Sequence, residues 1–260
     1  MDKKILLSFD VEEFDIAREY GLKISGEDEM RISLNGLKNV LKLLDKLNLR
    51  ATFFVTSNFA LKNPAIIKKI SEKHEVCSHA FYHSSFELED LKKSREILEK
   101  ITEREVGGFR MPRLMGISDN AVKDAGYKYN SSMSPSYMPG RYNNFFKSRK
   151  YYWTEEMLNI PTSVVPLVRF PLNWLTLKNI PMSLFKFFSS LTLTKDKYLN
   201  IYFHPWEFTD LSYWKLPTHV KRYSGENLTK RLEEYLVWLK KRGEFVCFGE
   251  FVGEVQKNEI

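Results

Sequence analysis

The chain alternates short, apolar, β-prone runs with longer segments whose apolar residues recur at helical spacing. The first run, KILLSFDV at 4–11, precedes LNGLKNVLKLLDKLN at 34–48, where leucines recur every three or four residues. The next run, RATFFVTSN at 50–58, precedes PAIIKKISEKH at 64–74, which has proline in its first helical turn. Repeated β-α units of about 25 to 35 residues build parallel sheets whose strands are connected by helices.

With one helix per strand over 260 residues, this pattern favours a closed (β/α) barrel over an open doubly wound sheet. No glycine-rich phosphate loop follows the first strand, which argues against nucleotide binding. The sequence contains no repeat, low-complexity tract or interdomain linker, so residues 1–260 are predicted to form a single domain. The last apolar run, EFVCFGEFV at 244–252, is predicted to be the closing strand.

Charge and cysteine content narrow the class of protein. The net charge is +7, but the basic residues are scattered and no RNA-binding or zinc-finger spacing occurs, so we expect no nucleic-acid partner. Cys77 and Cys247 lie in apolar, strand-like runs. They are predicted to be buried free thiols, which suits a reducing compartment.

The sequence shows neither a signal peptide nor a membrane span. The first run reaches Asp10 too early for a signal peptide, and no segment approaches the roughly 20 apolar residues of a transmembrane helix. We therefore expect a cytoplasmic protein. The most apolar segment, 180–193, is short and is interrupted by Lys186. It is either a segment in peripheral contact with a membrane or a buried crossover helix.

Polar residues gather at the predicted carboxyl ends of four strands, where active sites form in parallel α/β folds. Three of the five histidines of the chain are among them. In chain order these residues are Asp10 and Glu12, His79 and His83, Arg110 and Arg113, and His204, Trp206 and Glu207. This convergence predicts one polar site at one end of the sheet.

The histidine pair in HAFYH can bind one metal ion if both residues lie on a tight bend, although such spacing also arises by chance. A carboxylate from a neighbouring strand would complete a site with open positions for water and substrate. Asp10, next to a cation and an arginine, would stay ionised and act as a base, with His204 as an acid. Taken singly, Asp10 also suits a turn or helix cap, and His204 a core position.

The motifs SFDVEEF, SHAFYH, GFRMPR and YFHPWEF follow an order and spacing that resembles the polysaccharide deacetylase (NodB homology) superfamily, which includes carbohydrate esterase family four. They span roughly residues 5 to 208. The Asp-Val-Glu opening is similar to the Asp-x-Asp branch, which also holds allantoinase-like and lipid-linked aminosugar deformylase-like members. The resemblance implies a distorted, parallel (β/α) barrel of seven or eight strands and one catalytic domain over 1–260.

The resemblance also implies catalytic roles. Asp10 matches the catalytic base, and Arg110 matches the arginine that pairs with this base and orients it. His204 matches the general acid. The backbone N–H of Arg113 falls where the family supplies a hydrogen-bond donor to the oxyanion. Trp206 matches part of the wall that contacts the sugar, with packing in the core as the alternative.

Glu12, His79 and His83 match the metal ligands of the family. They imply one divalent ion, zinc by ligand type, with cobalt, nickel or iron as alternatives. Glu12 replaces the usual aspartate and is one methylene longer, which would shift the metal or weaken its site. Asn130 stands where many relatives carry an acid.

Three further acids lie beside these motifs. Glu13 and Asp15 are expected to be solvated loop acids. Glu207 lies close in sequence to His204 and is a candidate for the acid that orients this imidazole, but its direction depends on local bends.

Together these expectations describe a metal-dependent hydrolase of carbon–nitrogen bonds that removes an N-acetyl or other N-acyl group from an amino sugar. The sugar would belong to a polysaccharide or, since no export signal is seen, to a lipid- or nucleotide-linked precursor for cell-surface polysaccharide biosynthesis. Two rival functions stay open. One is a metal-independent, allantoinase-like hydrolase of cyclic amides, and the other is a non-catalytic glycan-binding barrel.

Overall fold

The computed structural model of the chain describes residues 2–139, 142–154 and 157–259. Within these residues the strands are β1 (Lys4–Val11), β2 (Thr52–Val55), β3 (Glu75–Ser78), β4 (Gly108–Phe109), β5 (Tyr129–Asn130), β6 (Tyr137–Met138), β7 (Tyr142–Asn143), β8 (Tyr152–Thr154), β9 (Met157–Asn159), β10 (Tyr198–Phe203) and β11 (Glu244–Phe245). The α-helices are α1 (Ile16–Glu19), α2 (Gly26–Leu47), α3 (Ser57–Lys62), α4 (Pro64–Lys73), α5 (Glu89–Thr102), α6 (Asp119–Asp124), α7 (Trp174–Asn179), α8 (Met182–Asp196), α9 (Thr218–Lys221), α10 (Glu226–Leu239) and α11 (Phe248–Glu259). Two short 3-10 turns lie at Pro112–Leu114 and Pro205–Phe208.

The main sheet follows the order β10-β1-β2-β3-β4-β5-β9-β8, and β11 pairs with β1 beside this path. All its pairings are parallel except the antiparallel pair of β8 and β9. The β6–β7 hairpin stands apart, in a connection whose residues 140 and 141 lie outside the described residues. The predicted α/β fold, a distorted (β/α) barrel with seven or eight mostly parallel strands, is confirmed.

The chain that follows β9 closes the curled sheet against β10. The backbone N–H of Ser163 donates to the carbonyl of Asn200 at 2.9 Å, and the Ser163 hydroxyl accepts from the Asn200 N–H at 2.8 Å. The Asn200 amide also donates to the carbonyl of Pro161 at 3.0 Å. These bonds connect the segment after β9 to β10, so the curled sheet encloses an interior.

Strand β1 shows how the two faces of the sheet are used. Successive side chains of a strand point to opposite faces. Ile5, Leu7 and Phe9 belong to the apolar layer between the sheet and its helices. Leu6, on the other face, packs in a separate cluster inside the barrel. Asp10 therefore shares the inner face with Leu6, at the carboxyl end of the strand.

Helix α11 closes the opposite end of the barrel, where a strand was predicted. Only Glu244–Phe245 form a strand, and the helix begins at Phe248. The buried residues Phe248, Phe251, Val252 and Val255 recur at helical spacing and pack in the interior cluster. The prediction of a strand over 244–252 is therefore wrong, because the apolar period of this segment is that of a helix.

The segment 180–193 forms most of helix α8. Phe185 and Leu193 are buried against the main core, as expected for a crossover helix, while Leu184 and Phe187 are exposed. In the described part of the chain, no helix combines the length and apolar character needed to cross a membrane. Cys77 and Cys247 are buried and free, as predicted.

Helix α2 supports the turn at 205–208, which carries part of the predicted site. The Asn39 amide donates to the carbonyl of Phe208 at 3.0 Å, and the Thr209 hydroxyl donates to the carbonyl of Ile32 at 2.8 Å. Gly36 faces this turn so closely that a Cβ at this position would lie 1.8 Å from the carbonyl oxygen of Pro205. The absence of a side chain at Gly36 thus sets the position of the turn.

We expect Gly36→Ala to destabilise the protein by about 1–3 kcal/mol, because the added methyl group overpacks a backbone contact that cannot yield freely. The measurement is the free energy of unfolding in urea. The matched control is Gly253→Ala in helix α11, where a Cβ meets nothing within 4 Å and helix propensity favours alanine. Equal stability of the two variants would contradict this account of the α2 contact.

Candidate active site

The polar residues predicted at the strand ends meet in one cleft. It is a cavity of ≈ 260 Å³ at the carboxyl ends of β1, β3, β4 and β10. Seven of the eight predicted site residues line it, namely Asp10, Glu12, His79, His83, Arg113, His204 and Trp206. The eighth, Arg110, is fully buried and contacts Asp10. The structure thus brings distant residues into contact, such as Glu12 and Trp206, which are 194 positions apart in the chain.

Arg110 holds Asp10 through a buried ion pair. Its Nη1 donates to Asp10 Oδ1 at 2.6 Å and to the hydroxyl of Ser8 at 2.9 Å, while Nη2 donates to the hydroxyl of Ser131 at 3.1 Å. The guanidinium carbon lies 4.0 Å from the centre of the Phe54 ring. A buried charge needs such partners to offset its loss of hydration. Together they hold the Asp10 carboxylate in one orientation.

Glu12, His79 and His83 form a group that could hold a metal ion. Their ligand atoms lie within 4.8 Å of one another. Glu12 Oε2 is 3.2 Å from His79 Nε2 and 3.1 Å from His83 Nε2. The other carboxylate oxygen of Glu12 accepts a hydrogen bond from Trp206 Nε1 at 3.2 Å. One oxygen and two imidazole nitrogens therefore point to the same place.

The remaining nitrogen of each imidazole has its own acceptor. His79 Nδ1 lies 2.8 Å from the carbonyl oxygen of Arg110, and His83 Nδ1 lies 2.8 and 2.9 Å from the two carboxylate oxygens of Asp15. A carbonyl can only accept, so His79 Nδ1 carries the proton and Nε2 keeps a free lone pair. The Asp15 carboxylate favours the same tautomer for His83. Partners of this kind orient imidazole ligands towards metal ions.

The prediction that Glu13 and Asp15 are solvated is wrong, since both are buried. Glu13 accepts from the Thr56 hydroxyl at 3.2 Å and from the Asn58 amide, and burial raises its pKa. The chain after β1 turns back into the protein, with Phe14 fully buried, and carries these acids inward. Spacing alone does not reveal this turn.

Electrostatics keep the Glu12 carboxylate ionised. Burial opposes its charge, but the positive charges of His83 and His204 hold its pKa below the usual range. For His83, burial also opposes the charged imidazolium, and the carboxylates of Glu12 and Asp15 outweigh it and raise its pKa to about 9. Without a metal ion, the His83 imidazolium therefore pairs with the Glu12 carboxylate through Nε2, and a divalent cation bound here would displace that proton.

Glu207 is the acid that orients His204. Its Oε1 accepts from the backbone N–H of His204 at 2.8 Å and lies 3.0 Å from His204 Nδ1. Its Oε2 lies 2.7 Å from Nζ of Lys178, and the Lys178 and Glu207 side chains are fully buried. Lys178 was not predicted, because a lysine on a helix gives no sign that it will be buried beside an acid.

The charge of His204 follows from this arrangement. Burial opposes the imidazolium, but the carboxylates of Glu12 and Glu207 raise the pKa of His204. Burial also works against the charge of Glu207, yet Lys178 and His204 hold the pKa of this carboxyl below its usual value. His204 Nε2 lies 3.9 Å from Glu12 Oε1. This nitrogen therefore faces the cleft with a favoured proton.

The remaining predicted residues differ in how they contribute to the cleft. Trp206 lines it but is only 1% exposed, and its ring stacks on His204 with centroids 5.1 Å apart. The backbone of Arg113 has a φ of 59°, a left-handed conformation, in the turn beside the cleft. Asn130 donates to Asp119 Oδ1 at 2.9 Å and does not line the cleft.

The family model described as Polysaccharide deacetylase matches residues 2–130, which contain the first three motifs. The chain belongs to the polysaccharide deacetylase superfamily. This match confirms, at the level of the family, the predicted superfamily and the predicted hydrolase of carbon–nitrogen bonds. No curated protein matches the chain significantly.

Solved structures share the fold of this deacetylase-family chain. A putative polysaccharide deacetylase from Mycobacterium smegmatis has a TM-score of 0.69 at 16% identity, over 100% of this chain and 93% of the other. A probable polysaccharide deacetylase from Pseudomonas aeruginosa PAO1 has a TM-score of 0.66 at 14% identity, over 96% and 89%. The Puue allantoinase has a TM-score of 0.63 at 13% identity, over 95% and 88%. At such identities the likeness concerns the fold.

We expect Asp15→Asn to weaken zinc binding by about 10–100-fold, because the amide loses the negative charge that accepts from His83 Nδ1 and orients the ring towards the metal group. Competition with a chromogenic chelator measures this affinity. The matched control is Glu13→Gln, which removes a buried acid of the same loop that contacts Thr56 and Asn58 instead. A similar loss in both variants would show that the effect is not specific to His83.

Proposed function

We propose that this chain is a metal-dependent hydrolase that removes an N-acetyl or other N-acyl group from an amino sugar. The observation that carries the proposal is that three features meet in one cleft. They are the Asp10 carboxylate held by Arg110, a group of three side chains that could hold a metal ion, and the His204 imidazole held by Glu207. Hydrolysis of an amide needs a base, an acid and stabilisation of the developing oxyanion. We further propose that residues 1–260 act as one catalytic domain.

Glu12, His79 and His83 would hold the ion. The donor set of one carboxylate and two imidazoles suits zinc, with cobalt, nickel or iron as alternatives, and leaves positions open. A bound divalent ion would polarise the acyl carbonyl and acidify a water molecule. The hydrogen bond from Trp206 and the acceptors on the two histidines hold these ligands in place before an ion binds.

The other residues of the cleft would perform the proton transfers. Asp10, oriented by Arg110, takes the proton of the attacking water as its oxygen adds to the acyl carbon. The backbone N–H of Arg113 donates to the oxyanion. His204 gives its Nε2 proton to the departing nitrogen as the carbon–nitrogen bond breaks. The products are the free amino sugar and the carboxylate, and the proton passes from His204 to the new amine.

The size of the cleft bears on the substrate. Its volume of ≈ 260 Å³ lies just below the roughly 300–1,000 Å³ of small-molecule sites. We propose that it receives one acylated sugar residue, within a glycan or in a lipid- or nucleotide-linked precursor. The cytoplasmic location and the role in cell-surface polysaccharide synthesis stay predictions.

We expect Asp10→Asn to lower kcat for release of acetate from N-acetyl sugars by about 10²–10⁴-fold, the contribution of a positioned base. The amide keeps the volume of the side chain but cannot accept the proton. The control is Glu13→Gln, which changes a neighbouring buried acid that contacts Thr56 and Asn58 and does not line the cleft. If Asp10→Asn turned over substrate at the wild-type rate, Asp10 would not be the catalytic base.

The same assay separates the rivals. Activity that survives complete removal of metal would favour the allantoinase-like hydrolase of cyclic amides. Tight sugar binding without any acetate release, with a metal bound, would favour the non-catalytic barrel.

We expect kcat/KM to fall as pH rises through the raised pKa of His204, because the acid must be protonated to give up its proton. Replacing Glu207 by Gln removes a charge that favours the imidazolium. The alkaline limit of the pH profile should therefore move to lower pH.

The double variant Lys178→Met/Glu207→Gln is the proper test of that shift, since it does not leave Lys178 buried without its partner. The comparison is the pH profile of kcat/KM for wild type and double variant at saturating zinc. An unchanged alkaline limit would show that Glu207 does not raise the pKa of His204.

A further inference from the structure

Six large apolar side chains stand exposed on three neighbouring segments of the surface. They are Phe146, Leu167, Val168, Phe170, Leu184 and Phe187, and we call them the apolar patch. Phe146 is 93% exposed and Leu167 is 91% exposed. Scattered single apolar residues are ordinary on a surface, but a contiguous group marks an interaction site.

Side-chain contacts show that the three segments adjoin. Arg169 Nη1 donates to the carbonyl of Lys147 at 3.0 Å, and its guanidinium carbon lies 5.9 Å from the centre of the Phe145 ring. Phe170 contacts Phe188 of helix α8, with ring centroids 6.0 Å apart. The segment after the β6–β7 hairpin, the loop at 165–171 and the outer face of α8 therefore form one surface.

The three segments that carry the apolar patch are basic. The segments 144–150, 165–171 and 181–190 contain no Asp or Glu. They contain five basic residues, Lys147, Arg149, Lys150, Arg169 and Lys186. Arg149 pairs with Asp196 and Lys186 pairs with Glu234, while Lys147 and Lys150 are exposed. The patch is thus an apolar centre with a basic surround.

We propose that this surface binds the interface of an anionic membrane. Exposed phenylalanine and leucine side chains can enter the headgroup and acyl boundary, and lysine and arginine attract anionic lipids. A soluble anionic glycan would use the cations but would leave the bare aliphatic tips of Leu167 and Val168 without a partner. The proposal concerns peripheral contact and does not depend on the proposed activity.

The experiment is flotation of the whole chain with vesicles. We expect binding to phosphatidylcholine vesicles that contain about 30% phosphatidylglycerol, and much weaker binding to pure phosphatidylcholine. Raising the salt from about 0.1 M to about 1 M should weaken binding severalfold, because screening shortens the range of the charges. Failure of the wild type to float, or equal binding to neutral vesicles, would overturn the proposal.

The apolar contribution is tested by Phe146→Ser/Leu167→Ser/Phe187→Ser, which should lower the partition coefficient at least tenfold. The control is Tyr213→Ser, since Tyr213 is 92% exposed and lies outside the patch. Lys147→Glu/Lys150→Glu tests the charges against Lys23→Glu/Lys62→Glu, two exposed lysines elsewhere. Retained binding in either patch variant would overturn the proposal.

A parallel assay on a soluble N-acetyl sugar separates this proposal from the proposed function. The patch variants should keep the wild-type rate and circular dichroism spectrum while they lose vesicle binding. Asp10→Asn should float like the wild type. A different result would show that the surface binds a glycan instead. In that case the wild type would bind a soluble anionic polysaccharide but not vesicles, and the triple serine variant would still bind the polysaccharide.

Discussion

The buried guanidinium of Arg110 is the interaction on which the rest of the site depends. Its side chain holds Asp10 on β1, its carbonyl accepts from His79 beyond β3, and its Nη2 reaches Ser131 beyond β5. Four parallel strands therefore converge on one residue. Because each of these contacts satisfies a buried polar group, the positions of Asp10 and His79 are coupled.

The three predicted histidines of the cleft, His79, His83 and His204, are oriented in the same way. Each has Nδ1 within hydrogen-bond distance of an acceptor of the protein, and each directs Nε2 to the cleft. The acceptors are a backbone carbonyl for His79 and carboxylates for His83 and His204. Lys178 in turn forms a buried ion pair with Glu207, the carboxylate that holds His204. An arrangement in which tautomers are set by the protein needs little reorganisation when substrate arrives.

Parts of the fold and of the site could be predicted because they depend on local patterns. The alternation of strand and helix signals gave the barrel, and the strand-end rule placed all eight predicted residues in or beside one cleft. Helix α11 was missed because its first residues, Phe248 to Val252, read equally well as a strand. Its period shows only when Val255 is included.

The sequence by itself determined which residue types stand at the ends of the strands. The two-residue alternation of β1, for example, places Asp10 on the face opposite Ile5, Leu7 and Phe9. Tertiary structure alone decided which charged residues would contact these site residues. Asp15 reaches His83 across 68 positions, and Lys178 reaches Glu207 from another helix. Such pairs depend on how loops return over the barrel, and no periodicity in the chain records that path.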